Sequence, residues 1–145
     1  MDREKKAGEL FLEGRNCAQA VFAAFCDATG YSESDALKLA SSFGGGIGGA
    51  RETCGAVSAM AMIAGVLAGY DSANDIEEKK KLYALVNGML EKFREENGST
   101  VCRELLNGIK TSPVPSERTE EYYRTRPCVR FVESAARIVS ETLKI

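Results

Sequence analysis

The sequence predicts an all-α fold, a single-domain helical bundle, on three observations. Ala, Leu, Glu and Lys recur at helical spacing, alternating β-branched runs are absent, and capping residues and glycines fall where helices would start and stop. At 145 residues, 44% of them hydrophobic, the chain has the length of one domain and enough apolar side chains for a core. No repeat or linker divides residues 1–145.

The first helix is expected over Arg3 to Leu12, ended by Gly14, and the second from Asn16 to about Ala28, ended by Gly30. Ser32 caps a third, with Asp35 where a capping-box acid belongs, and this helix runs to Ser42. The fourth starts at Thr53 and continues through CGAVSAMAMIAGVLAG. No charged residue lies between Thr53 and Tyr70, and small residues fall on every side, so residues 53–69 read as a central apolar helix packed all round. The stretch is near the lower length limit for a bilayer and lacks flanking Trp or Lys anchors, so no membrane span is expected. The fifth helix, Ala73 to Asn97, is amphipathic, with Ile76, Tyr83, Val86, Leu90 and Phe93 on one face and Glu77 placed to pair with Lys81. A short sixth follows Ser99 or Thr100 and ends by Gly108. The stretch IKTSPVPSERTEEYYRTRP reads as a loop, and the last helix begins near Pro127 and runs to Leu143.

Composition narrows the function. The formal charge is −2 and Lys and Arg are scattered, which leaves no electrostatic footprint for nucleic acid. The opening MDREKKAGELFLEG alternates charges and lacks the apolar core of a secretory signal, so the expected compartment is cytoplasmic, where thiols stay reduced. With no histidine, a Cys-His or Ser-His dyad, a His-liganded zinc and a CxxCH haem attachment are all excluded. The excess of small apolar residues for so few helices points to a homo-oligomer.

Five cysteines remain as the chemistry-bearing residues. Cys17, Cys54, Cys102 and Cys128 each fall in the first turn of an expected helix, where free N–H groups and the helix dipole favour a thiolate. Each has an arginine nearby: Arg15 by Cys17, Arg51 by Cys54, Arg103 by Cys102, Arg126 and Arg130 by Cys128. Cys26 differs, lying on an apolar face with Val21, Phe22 and Phe25 as a packing residue. The run GGGIGG at 44–49 fits GxGxxG but follows a helix instead of a strand, which argues against a dinucleotide site. Two readings of it stay open. Gly46, Gly48, Gly49 and Arg51 form a nest for an anion, either the Cys54 thiolate or a ligand's carboxylate or phosphate, or the run is a turn that lets two helices pack closely. Under the first, the Cys54 pKa falls below the ordinary thiol value of about 8.5.

These residues resemble the C_GCAxxG_C_C family of small redox proteins, which carry four characteristic cysteines and a CGAxxG motif. Cys17 looks like the first cysteine, Cys54-Gly55-Ala56 the start of the motif, and Cys102 and Cys128 the last two. The resemblance spans nearly the whole chain. Ala59 stands where the motif has glycine; its methyl restricts close helix packing but removes no reactive group. The resemblance implies a thiol-based redox function and names no substrate.

Three functions follow. The first is thiol–disulfide or electron-transfer chemistry with Cys54 as the activated thiol and Cys17, Cys102 and Cys128 as resolving partners, serving a redox partner or small thiol. The second makes Cys17, Cys54, Cys102 and Cys128 the ligands of zinc or an iron–sulfur cluster; four thiolates are the right number, but they come singly, without CxxC pairs. The third is a non-catalytic helical interaction protein whose apolar central helix serves an oligomer.

Overall fold

Local capping sets most of the helix starts in the structure, a computed structural model that describes residues 2–145. The Asp2 carboxylate accepts the Lys5 N–H and opens α1 (Arg3–Leu12), as expected from sequence. Asn16 and Gln19 form a reciprocal capping box that opens α2 (Cys17–Ala23). The Ser32 hydroxyl accepts the Asp35 N–H and opens α4 (Glu33–Ala40), which tightens into a 3-10 turn at Ser41–Phe43. The chain continues through α5 (Gly55–Ala68), α6 (Ile76–Asn97), α7 (Cys102–Leu105), α8 (Glu120–Thr125) and α9 (Cys128–Leu143). The fold is all-α.

Four local expectations are corrected. The second helix does not run unbroken to Ala28: the chain leaves helical geometry at Phe25, whose ring is fully buried beneath Arg3, and α3 (Cys26–Thr29) follows. Thr53 is not a cap. It forms an antiparallel bridge with Val101, and the N-cap of α5 passes to Cys54. The fifth helix begins at Ile76 instead of Ala73, where Asp75 accepts the Glu78 N–H. Finally, the presumed loop after Ile109 contains α8, opened by the Thr119 hydroxyl accepting the Tyr122 N–H.

Helices α2, α5 and α9 pack against one another, α1 covers α2 and α9, α6 covers α5 and α9, and α4 backs α2. The apolar stripe of α9 drives this, burying Phe131, Val132, Ala135, Ala136, Ile138 and Val139. Helix α5 is central over its first ten residues, where Ala56, Val57, Ala59, Met60, Ile63 and Ala64 are buried. Its last turn is not: Val66 and Leu67 are exposed. Helix α6 likewise overruns the core, burying only Met89 and Phe93 and leaving Ile76 and Tyr83 in solvent, contrary to the five-residue face expected from sequence. Among the described residues no helix is long and apolar enough to cross a membrane.

The glycine run folds as a left-handed loop. Gly45, Gly46, Ile47, Gly48, Gly49 and Arg51 all have positive φ, between 57° and 79°. The loop closes on itself: Arg51 N–H donates to Gly45 C=O and Glu52 N–H to Gly46 C=O. A Cβ at Gly46 would lie 2.7 Å from Glu52 N and 2.8 Å from Cys102 Cβ, whereas one at Gly48 would meet nothing. Both Gly46→Ala and Gly48→Ala should therefore cost about 1 kcal/mol in backbone strain, with roughly 2 kcal/mol more for Gly46→Ala from the backbone clash. Urea unfolding checks this, and equal losses at the two positions would contradict the packing of the loop.

Candidate functional site

Because α2, α5 and α9 start at the same end of the bundle, the cysteines at their starts converge. Cys17 is the first residue of α2, Cys54 the N-cap of α5, Cys102 the first residue of α7 and Cys128 the first residue of α9. All four line one cavity of about 50 Å³, with Gly45, Gly46 and Arg51 on its wall. Close approach makes this geometry: a Cβ at Gly55 would stand 3.0 Å from Ala18 N and Phe43 O, so only glycine lets the start of α5 abut that of α2. The Thr53–Val101 bridge places Cys54 and Cys102, each the residue after a bridged one, in the same cavity, with Cys54 N–H donating to Thr100 C=O and Cys102 N–H to Glu52 C=O. Cys26 also opens a helix, against expectation, but its half-buried thiol lies outside the cavity. All five cysteines are free thiols.

The thiolate does not sit where the sequence suggested. Cys54 receives the backbone N–H groups of Val57 and Ala56, as a helix start should provide. Burial outweighs them and pushes its pKa up to about 12, which favours the neutral thiol. Cys128 shifts the other way. The Cys17 S–H donates to it, and the positive charges of Arg126, Arg118 and Arg51 add to that effect, so its pKa falls below the ordinary thiol value despite burial. Cys17, as the donor in that bond, is held well above the ordinary value. Cys17 and Cys128, in contact with each other, are thus shifted in opposite directions.

The arginines are also redistributed. Arg51, expected beside Cys54, donates to Cys102 Sγ at 3.7 Å and to Ser112 C=O at 3.0 Å. Arg103 turns to the surface and pairs with Glu52 at 3.2 Å, and Arg130 stacks on Phe131. Arg118 and Tyr122 line the cavity although the sequence reading placed both in a loop. Arg118 donates to Arg15 C=O at 3.0 Å and lies over the rings of Phe11 and Tyr122, and Arg126 covers Tyr122 as well. Thr119 followed by Glu120 and Glu121 is a helix-start signal that pointed to α8 and hence to these residues.

Beyond the thiol cavity lies a second hollow of about 470 Å³. Gly48 and Gly49 border this outer hollow, and their N–H groups are bonded to Ser42 and Gly44 carbonyls, so they are not free to cradle a thiolate. Gly46 borders the thiol cavity itself. Among the described residues no group of three or more Cys, Asp or Glu has the geometry to hold one metal ion. The four thiols therefore do not fit a shared zinc or cluster as they stand.

Residues 15–142 match the family described as "Putative redox-active protein (C_GCAxxG_C_C)". The chain belongs to the C_GCAxxG_C_C family. A curated protein of Archaeoglobus fulgidus, described as "Uncharacterized protein", is 30% identical over 148 residues, covering 97% of this chain and 93% of that one. No solved structure matches. The name C_GCAxxG_C_C spells four cysteines, the number that meet in the cavity while Cys26 stays outside.

Removing the Cys17 donor tests the electrostatics. Cys17→Ala should raise the Cys128 pKa, and Cys17→Ser should raise it less because a hydroxyl still donates. Iodoacetamide alkylation against pH, with the labelled peptide identified by mass, reads both. Cys54 alkylating before Cys128, or a Cys128 titration indifferent to Cys17→Ala, would refute the assignment.

Proposed function

We propose that this C_GCAxxG_C_C protein is a dithiol–disulfide redox protein in which Cys128 attacks and Cys17 resolves. The observation that carries the reading is that Cys17 and Cys128 line one arginine-bordered cavity, where their interaction lowers the Cys128 pKa and raises that of Cys17. A thiolate is the nucleophile in disulfide exchange, and the resolving sulfur must already be near. In the resting state Cys128 is that thiolate and Cys17 the neutral neighbour. When Cys128 opens a substrate disulfide, its charge is lost in the mixed disulfide. Cys17 then loses its acceptor, gives its proton to the departing thiolate and attacks Cys128 sulfur. Cys54 is not the first nucleophile, since its thiol stays protonated at neutral pH. The cytoplasmic setting belongs to the same proposal, because a reducing thiol pool or protein partner would return the pair to the dithiol.

Oxidation in a glutathione redox buffer, followed by disulfide mapping, tests the pairing. The Cys17–Cys128 bond should form first, and Cys128→Ser should slow oxidation by about 100-fold or more. Cys26→Ala should leave oxidation unchanged while costing about 1 kcal/mol of stability through lost packing. A first disulfide that excludes Cys128, or equal loss of oxidation in Cys26→Ala and Cys128→Ser, would overturn the reading.

A further inference from the structure

The outer hollow shares Arg51, Arg118, Tyr122 and Arg126 with the thiol cavity, so the arginines stand at the neck between the two. Neither hollow is lined by Asp or Glu. The three arginines are half-buried and form no ion pair with a carboxylate among the described residues. Arg51 Nε is buried without a hydrogen-bond partner, and the Arg126 side chain is held by the face of Tyr122. Partly buried guanidinium groups without acids are costly unless an anion completes them, and their fork of N–H donors suits a carboxylate or tetrahedral oxyanion. All three arginines line a hollow large enough for a small molecule, more positive charge than one Cys128 thiolate would offset.

We propose that the outer hollow binds the anionic end of a small disulfide substrate, a carboxylate or oxyanion group seated on Arg51, Arg118 and Arg126 while its S–S bond reaches Cys128. This rests on the dithiol reading above. The Cys128 thiolate attacks the nearer substrate sulfur, the S–S bond breaks and the distal half leaves as a thiolate. Cys17 sulfur then attacks Cys128 sulfur in the mixed disulfide and expels the second half, while the Cys17 proton passes to one of the two departing thiolates. One substrate disulfide is reduced to two thiols, one of them ionised, and the protein dithiol is oxidised to the Cys17–Cys128 disulfide. The same guanidinium groups stabilise the negative charge that grows on the leaving sulfur.

The test is a charge series on the whole protein: 3,3′-dithiodipropionate, bis(2-sulfoethyl) disulfide, neutral bis(2-hydroxyethyl) disulfide and cationic cystamine. Rates of Cys17–Cys128 oxidation are measured at a pH where Cys128 is fully ionised, each divided by the rate with free cysteine. The anionic reagents should exceed the neutral one by about tenfold at low salt, with cystamine slowest and the gap narrowing as salt rises. The ratio of dithiodipropionate to bis(2-sulfoethyl) disulfide shows whether a planar or a tetrahedral anion fits better. Arg126→Gln should shrink the anionic advantage, and if it does not fold, the wild-type series decides alone. Equal normalised rates across the series would overturn the anionic-substrate proposal and leave the dithiol reading standing. Failure of every reagent to form the Cys17–Cys128 bond would overturn both.

Discussion

Positive charge without a matching acid, held around the thiol cavity, is the constraint on which the rest of the site depends. Arg51, Arg118 and Arg126 are kept in place by aromatic faces and backbone carbonyls, and by no carboxylate among the described residues. That arrangement adds to the Cys17 hydrogen bond in lowering the Cys128 pKa. Cys54 and Cys128 both stand at the start of a long helix, yet they shift in opposite directions. A helix terminus supplies about 0.3–1 kcal/mol to an anion, whereas burying an uncompensated charge costs several kcal/mol. The helix start is therefore too weak to decide the outcome alone. Cys128 wins because a thiol donor and three cations act on it together, and Cys54 loses because backbone N–H groups are its only lowering influences against burial.

Glycine builds the cavity by removing atoms. At Gly55 the absent Cβ lets α5 meet α2, which puts Cys54 beside the Cys17 helix; at Gly46 it lets the left-handed loop lie against Cys102. The two readings of the glycine run thus separate by position. Gly46 borders the thiols, while Gly48 and Gly49 spend their N–H groups within the loop and shape the outer hollow. Ala59 is fully buried in the core of α5.

What was legible in the sequence was what is decided locally. Asn16, Ser32 and Pro127 marked helix starts because a cap or a fixed φ acts over a few residues, and so the cysteines that follow Asn16 and Pro127 could be named. What was not legible depends on distant chain. The N-cap moved from Thr53 to Cys54, where Thr53 pairs with Val101, and the second helix broke at Phe25, whose buried ring lies under Arg3, with no glycine or proline to announce it. The choice of Cys128 over Cys54 is of the same kind. Arg51 is adjacent to Cys54 in sequence but bonds Cys102 in space, and Arg118 reaches the cavity from a stretch whose prolines concealed a helix.

Redox state and charge balance are linked in this arrangement. On the proposed dithiol chemistry, a Cys128 thiolate would offset one of three guanidinium charges, and in a Cys17–Cys128 disulfide that negative charge would be gone and all three would stand uncompensated. An anion in the outer hollow therefore interacts more favourably with the oxidised protein than with the reduced one. By reciprocity, the same anion draws the pair toward the disulfide. On that proposal the cationic neck would act in both halves of the cycle. It would favour ionisation of the attacking sulfur before exchange, and after exchange it would make the loss of that charge easier to bear whenever an anionic product remains bound.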